Sequence, residues 1–190
     1  MTQLDRFMDM LCGTFDNTEQ CRAEKAAGNQ IHPQAKHIIG ICNDRIDHLP
    51  EEFPGYFVIE ESYFDMGDRV IEKHYLFSYV EKEEGKILLT SYDVPDSIPR
   101  TDLTNGNQQL RLDFRELRIS PRFQPMELVE DADGFFGENI SQFSQDTLFH
   151  FSLKVRDGVF HAKELLMRNG TAIAGYEEPT IYIRSSKNRG

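Results

Sequence analysis

The sequence predicts a mainly β fold, an antiparallel barrel of about ten strands preceded by a short helix. The first observation is the stretch 57–92, which reads as three successive strands with polar and aromatic residues between apolar ones. The second is a series of hairpin turns in the last third, of which Asp157-Gly158 is the strongest. Because closing such a sheet removes its exposed edges, a barrel is favoured over an open sheet.

The chain begins with an amphipathic helix. Its apolar residues recur at i, i+3, i+4 and i+7, and they are Leu4, Phe7, Met8 and Leu11. Thr2 or Gln3 is placed to start this helix and Gly13 to end it. A second short helix is predicted around 19–27, with Gly28-Asn29 as its stop signal. We expect residues 1–30 to form a helical cap that closes one end of the barrel or packs on its flank.

The barrel itself is predicted over residues 36–184, with a tail at 185–190, in one domain of 190 residues. The predicted strands are 37–42, 56–64, 70–80, 87–94, 126–130, 135–139, 148–155, 159–167, 171–176 and 180–184. Residues 95–109 are loop-like, with two prolines and the turn Asn105-Gly106-Asn107. Residues 110–119 fit either a strand or a helix.

Composition excludes several classes of protein. The net charge is −11, with 32 acidic and 21 basic residues and no basic stripe that would replace phosphate counterions. We therefore expect no nucleic-acid partner and no attachment to an anionic membrane. No apolar run approaches the ~20 residues of a membrane span, so a cytoplasmic location is expected. Three cysteines without paired spacing argue against a disulfide framework or a structural zinc site.

Candidate ligand-binding residues lie on three predicted neighbouring strands. Glu60 and Glu61 are consecutive, so they point to opposite faces, and one of them is expected inside the barrel with Lys73 or a tyrosine hydroxyl as partner. Such a carboxylate either hydrogen-bonds a ligand or forms an internal salt bridge. Further candidates are the rings of Tyr63, Tyr75 and Tyr92, which either line a cavity for a planar ligand or pack across strands.

For other polar residues we expect structural roles in preference to catalytic or ligand-binding ones. Asn17 and Gln20 follow the first helix and are expected to cap or cross-link the loop that closes the barrel. The six histidines show no metal-ligand spacing, and a surface or packed role is expected for them. No nucleophile-elbow, phosphate-loop or dinucleotide motif occurs. The sequence therefore predicts no metal site and names no catalytic residue.

Five stretches share short motifs with one known family. A G-x-F-x-N-x-x-Q signature follows the first helix, formed by Gly13, Phe15, Asn17 and Gln20. The later stretches are IEESY at 59–63, SYDV at 91–94, GFFGE at 134–138 and TIYIR at 180–184. Spread over nearly the whole chain, these motifs resemble those of the CpcT/CpeT-type phycobiliprotein chromophore lyases.

The resemblance implies a ten-stranded calycin or lipocalin-like barrel that binds an open-chain tetrapyrrole, a bilin, and delivers it to a phycobiliprotein cysteine. It implies no required cofactor beyond that bilin ligand. In this interpretation Glu60 or Glu61 contacts the pyrrole nitrogens and Lys73 pairs with a propionate. Tyr63, Tyr75 and Tyr92 stack on the chromophore or cap it. The implied partners are a bilin and a phycobiliprotein-like acceptor, and a homodimer is left open.

The chain departs from this family at two kinds of position. The family's arginine-bearing strand aligns with 72–75, where only Lys73 keeps a positive charge. Two family cysteines have no counterpart near Ser120 or Ser144. These departures keep two alternatives open: a non-catalytic carrier barrel for another small ligand, and a protein-interaction module whose cavity is filled by its own side chains. If the protein is an enzyme, we expect a bilin lyase.

Overall fold

The computed structural model describes residues 1–186 and contains two helices, α1 (Gln3–Leu11) and α2 (Thr18–Ala26). The strands are β1 (Gly13–Asp16), β2 (Gln34–Ile41), β3 (Ile46–Asp47), β4 (Gly55–Asp65), β5 (Val70–Glu81), β6 (Ile87–Asp93), β7 (Leu112–Asp113), β8 (Arg118–Ile119), β9 (Met126–Asp131), β10 (Gly134–Ser144), β11 (Thr147–Arg156), β12 (Val159–Arg168), β13 (Thr171–Gly175) and β14 (Thr180–Ser186). Single 3₁₀ turns occur at Asn43–Arg45, Glu83–Gly85 and Arg100–Asp102.

Ten of these strands form a closed antiparallel barrel. The order is β11-β10-β9-β6-β5-β4-β2-β1-β14-β12, and β12 pairs again with β11 to complete the ring. Strand β13 pairs with the second half of β12, β8 extends β6, and β3 and β7 form a separate parallel pair. The predicted mainly β barrel with an N-terminal helix is confirmed.

The barrel begins and ends outside the predicted limits of 36 and 184. Gly13 starts β1 directly after α1 instead of capping that helix, because Cys12 is already extended and its N–H bonds the Met8 carbonyl. Strand β1 pairs with both β2 and β14, so it is a wall strand inside the segment predicted as a helical cap. Ser185 and Ser186 belong to β14, and the rest of the predicted tail, 187–190, lies outside the described residues.

Helix α1 closes one end of the barrel. Thr2 and Asp5 form a reciprocal capping box, which satisfies backbone N–H groups at the start of the helix. Phe7 is fully buried, with its ring centroid 5.2 Å from that of Tyr79 and 5.1 Å from that of Phe135. The apolar face predicted from the sequence therefore packs into the barrel core and fills one end of the barrel, and we call α1 in this position the plug. Its four residues, Leu4, Phe7, Met8 and Leu11, are all buried.

The two polar residues after α1 cross-link the chain, as expected. Asn17 is fully buried, donates to the Pro33 carbonyl and accepts from the Ala35 N–H. Gln20 donates to the Pro179 carbonyl and accepts from the Ile181 N–H. Because both amides bond backbone on distant segments, they fix α2 against β2 and β14.

A second core lies outside the barrel, over β4, β5 and β6. The chain between 94 and 120 crosses the outer face of these strands, and its buried leucines are Leu103, Leu110, Leu112 and Leu117. They pack against Phe57, Ile59 and Leu76, which are fully buried. Residues 110–119 form neither a helix nor a long strand, but contribute only β7 and β8. As a result, most of β4 and the second half of β5 are buried on both faces, which decides where the candidate site residues point.

Candidate functional site

The barrel encloses a cavity of about 780 Å³ beyond the plug formed by α1. This volume lies within the range of about 300–1,000 Å³ that is typical of small-molecule sites. Aromatic rings make much of its lining, including Phe64, Tyr75, Phe77, Phe149, Phe151 and Phe160. The interior is therefore open and mainly apolar, as a ligand-binding barrel requires.

One wall of the cavity is a continuous set of aromatic contacts. Phe143 and Phe149 are stacked with their centroids 5.1 Å apart, and Phe123 meets both rings edge-on at 5.4 and 5.8 Å. Tyr75 lies 6.4 Å from Phe123 and joins this set to β5. The guanidinium of Arg122 lies over the Phe143 ring at 4.3 Å. Such a wall offers flat apolar area for a planar ligand.

A polar cluster interrupts the apolar surface on β2 and β4. His37 Nδ1 lies 3.1 Å from Glu60 Oε1, and the Ser62 hydroxyl donates to the same oxygen at 3.3 Å. His37 is 2% exposed and borders the cavity, yet its Nε2 has no hydrogen-bond partner in the described part of the chain. We call His37, Glu60 and Ser62 the interior polar cluster.

Lys73 and Tyr75 also face the cavity, from β5. Lys73 Nζ lies 3.9 Å from Glu164 Oε2 and 5.2 Å from the centre of the Phe64 ring. Burial, and then the negative charges of Glu164 and Glu60, raise the pKa of the Tyr75 phenol above its usual range. Tyr75 is therefore protonated at neutral pH and can donate a hydrogen bond.

The other glutamate of the pair, Glu61, points away from the cavity. It is 4% exposed and accepts hydrogen bonds from the Asn105 N–H at 2.7 Å, the Asn105 side chain at 2.9 Å and the Tyr63 hydroxyl at 2.6 Å. Burial and the Glu61 hydrogen bond raise the pKa of the Tyr63 phenol. Glu61, with Tyr63 bonded to it, therefore anchors Asn105 of the covering segment, which is residues 94–120 on the outer face of the sheet. Neither Glu61 nor Tyr63 lies where an interior ligand would contact it.

Tyr92 likewise belongs to the outer core. It borders the cavity, but its ring packs edge-on against Phe57 with the centroids 5.2 Å apart. The three predicted tyrosines are on neighbouring strands β4, β5 and β6. Tyr75 presents its ring to the interior, Tyr92 borders the cavity from the outer core, and Tyr63 does not line it. For Tyr63 the physical reason is the period of two along a strand, because it is an odd number of residues from Glu60.

Sequence reasoning missed two interior residues, His37 and Glu164. Both lie on strands that the sequence predicts, but their roles depend on neighbours from other strands. His37 stands opposite Ser62 in the β2–β4 register, and Glu164 stands opposite Phe151 across β11 and β12. The available signal was a histidine between Ala35 and Ile39 on one face of β2, where an apolar residue is usual.

Acidic groups outnumber basic ones around the cavity. The carboxylates that border it are Glu60, Glu72, Asp93, Glu164 and Glu178. The lysine and arginines that border it are Lys73, Arg100 and Arg122. The only one of these three cations within 4 Å of a bordering carboxylate, among the described side chains, is Lys73. The electrostatic environment therefore favours a neutral or hydrogen-bond-donating ligand over a strongly anionic one.

Comparisons with models of protein families, with curated proteins and with solved structures return no match to this chain. Neither helix within residues 1–186 is long and apolar enough to cross a membrane. In the same residues, no three His, Cys, Asp or Glu side chains come together as metal ligands would. The geometry of the cavity is thus the main basis for assigning a function.

Proposed function

We propose that the protein binds a flat, mainly apolar small ligand inside its barrel. The observation that carries this proposal is the cavity of about 780 Å³ with its aromatic wall. Burial of a ligand's apolar surface there is favourable by about 25 cal/mol per Å². The same open cavity argues against the interaction module that fills its interior with its own side chains.

An open-chain tetrapyrrole is one ligand that we propose for this site. Glu60 and Lys73 face the cavity and supply an acceptor for pyrrole N–H groups and a cation for a propionate, and Tyr75 supplies a ring and a donor. In the lyase function, the barrel would hold the bilin while an acceptor thiol adds across its exocyclic double bond. The sulfur then bonds one carbon, the thiol proton reaches the other, and no group leaves.

A carrier barrel for another small ligand is the second candidate. The acidic surplus around the cavity favours it, because the two propionates of a bilin would enter a lining that holds five carboxylates and three cations. A carrier needs the cavity and its walls but no acceptor protein. The two candidates therefore share the binding step and differ in the transfer step.

The test is a titration of the purified protein with phycocyanobilin, phycoerythrobilin, biliverdin and the uncharged probe 2-methoxynaphthalene, followed by absorption and fluorescence. Ala162→Trp places a large ring in the cavity lining and is expected to abolish binding. The matched control is Ala172→Trp on β13, which is exposed and lies outside the lining. Binding that survives Ala162→Trp would refute the interior site.

The bilin and carrier candidates separate in the same experiment. A stoichiometric bilin spectrum, followed by a covalent adduct on an acceptor with an exposed cysteine, supports the lyase. Binding of 2-methoxynaphthalene without any bilin response supports the carrier. If none of the four compounds binds, the proposed function is wrong.

A further inference from the structure

The interior polar cluster is unusual for its position in the barrel. His37 and Ser62 stand opposite each other across β2 and β4, and Glu60 is the next residue on the same face of β4. The rings around His37 belong to Tyr182, Phe160 and Phe64, with centroids 4.4, 5.4 and 6.0 Å from its own. A carboxylate, a hydroxyl and an imidazole are therefore held together against an aromatic surface.

The hydrogen bonds of the cluster fix the proton on the His37 ring. An ionised carboxylate only accepts hydrogen bonds, so the contact to Glu60 Oε1 places the proton on His37 Nδ1. In the neutral ring, Nε2 is then a bare acceptor. Hydroxyl and carboxylate partners are both on the Nδ1 side, since Ser62 Oγ lies 3.2 Å from Nδ1. At many catalytic and metal sites a carboxylate orients a histidine in this way, and the second ring nitrogen binds the substrate or the metal.

That second nitrogen is unsatisfied. His37 borders the cavity, and its Nε2 is buried against the surrounding rings with no partner among the described residues, so a ligand would reach this nitrogen only when one of those rings moves aside. Buried polar atoms in folded proteins are nearly always hydrogen-bonded, and each exception requires an explanation. A packing role alone does not provide one, because phenylalanine would fill the same space among the same rings without an unpaired acceptor.

We infer that the ligand of this cavity carries an O–H or N–H donor on its flat apolar body, and that His37 Nε2 accepts the hydrogen bond. The inference rests on the proposed function and adds the chemical class, a phenol or an N–H heteroaromatic compound. Glu60 is the positioning residue, because it holds the imidazole in the tautomer that accepts. One such bond favours the donor ligand about five- to tenfold over an analogue that lacks the donor.

The experiment compares two probes with the same ring system, 2-naphthol and 2-methoxynaphthalene, which differ in whether their oxygen carries a hydrogen. Both are titrated into the wild-type protein and His37→Phe. We expect 2-naphthol to bind the wild type about five- to tenfold more tightly. In His37→Phe this preference should vanish, because 2-naphthol loses more affinity than 2-methoxynaphthalene does.

A second measurement keeps the inference testable if His37→Phe does not fold. In the wild-type protein labelled with ¹⁵N at histidine, the NMR resonance of the unprotonated His37 ring nitrogen should shift on addition of 2-naphthol. The same resonance should not shift on addition of 2-methoxynaphthalene. Equal binding of both probes, with no movement of this resonance, would overturn the inference and leave the proposed function standing. Tighter, His37-dependent binding of 2-methoxynaphthalene would overturn it too, because the ring would then be the donor. If neither probe binds, the inference fails, and the proposed function fails with it only if none of the three bilins binds either.

Discussion

Removing the Glu61 carboxylate should destabilise the barrel without touching its cavity. Three donors converge on this buried group, two from Asn105 and one from Tyr63. Hydrogen bonds to charged groups contribute about 1.5–3 kcal/mol each, and members of one network are not additive. We therefore expect Glu61→Ala to lower the free energy of unfolding by about 4 kcal/mol. Glu61→Gln keeps an acceptor for Asn105 and should cost about half as much.

The assay is urea unfolding followed by circular dichroism, since the chain has no tryptophan. With a slope of about 2 kcal/mol per molar urea, Glu61→Ala should lower the midpoint by about 2 M. The control is Glu138→Ala, a glutamate on β10 that is exposed, which should change the stability by less than about 0.5 kcal/mol. If Glu61→Ala stays within about 0.5 kcal/mol of the wild type, the buried carboxylate does not hold the covering segment.

Three further predictions concern packing and thiol chemistry. In Gly40→Ala the new Cβ would lie 2.3 Å from Asn105 Oδ1, on a side chain whose nitrogen bonds the carbonyls of Ile38 and Ile59, so we expect a loss of about 1–3 kcal/mol by urea unfolding. The control is Gly106→Ala, whose new Cβ meets nothing within 4 Å among the described residues and should leave the stability unchanged. If the Gly40→Ala and Gly106→Ala variants are equally stable, the clash at residue 40 is refuted. Phe7→Ala should cost about 3–5 kcal/mol in the same assay, because it removes the ring between Tyr79 and Phe135, and a loss below about 1 kcal/mol would show that α1 is not the plug. Burial raises the pKa of the Cys12 and Cys42 thiols to about 12, so their contribution to stability should be constant below about pH 9 and be lost as the pH rises from about 9 towards 12, because the unfolded thiols ionise first. Both thiols should also resist iodoacetamide at pH 8 until urea unfolds the protein, and labelling of the folded protein at the rate of a free thiol would contradict this.

Local signals account for the parts of the fold that the sequence predicts well. The helix face and the hairpins depend on residues close together in the chain, so their spacing and turn residues suffice. Strand β1 has only four residues, too few to show a period, and its conformation depends on partners in β2 and β14. The short strands β7 and β8 are likewise formed by pairing with distant segments.

The candidate site could be predicted only in part, for a reason specific to β4. Strand alternation separates Glu60 from Glu61 and from Tyr63, but it does not say which face is the interior. Both faces of β4 carry apolar residues, because one packs in the barrel and the other beneath residues 94–120. Glu60, Lys73 and Tyr75 reach the cavity, Tyr92 packs in the outer core and borders the cavity, and Glu61 and Tyr63 serve the outer core alone. The importance of His37 follows from its unpaired nitrogen, which only three-dimensional packing defines.

The pairing of β1 with β14 also has a consequence for how the molecule folds. Phe15 pairs with Arg184, so the seam between β1 and β14 joins segments separated by most of the chain. No local hairpin can nucleate such a seam, and the entropy of closing the loop between them must be overcome before the contact stabilises anything. We therefore expect slow folding in which the facing edges of β1 and β14 stay exposed until the two strands meet. During that interval these edges can pair with another chain, so aggregation on refolding should rise with protein concentration.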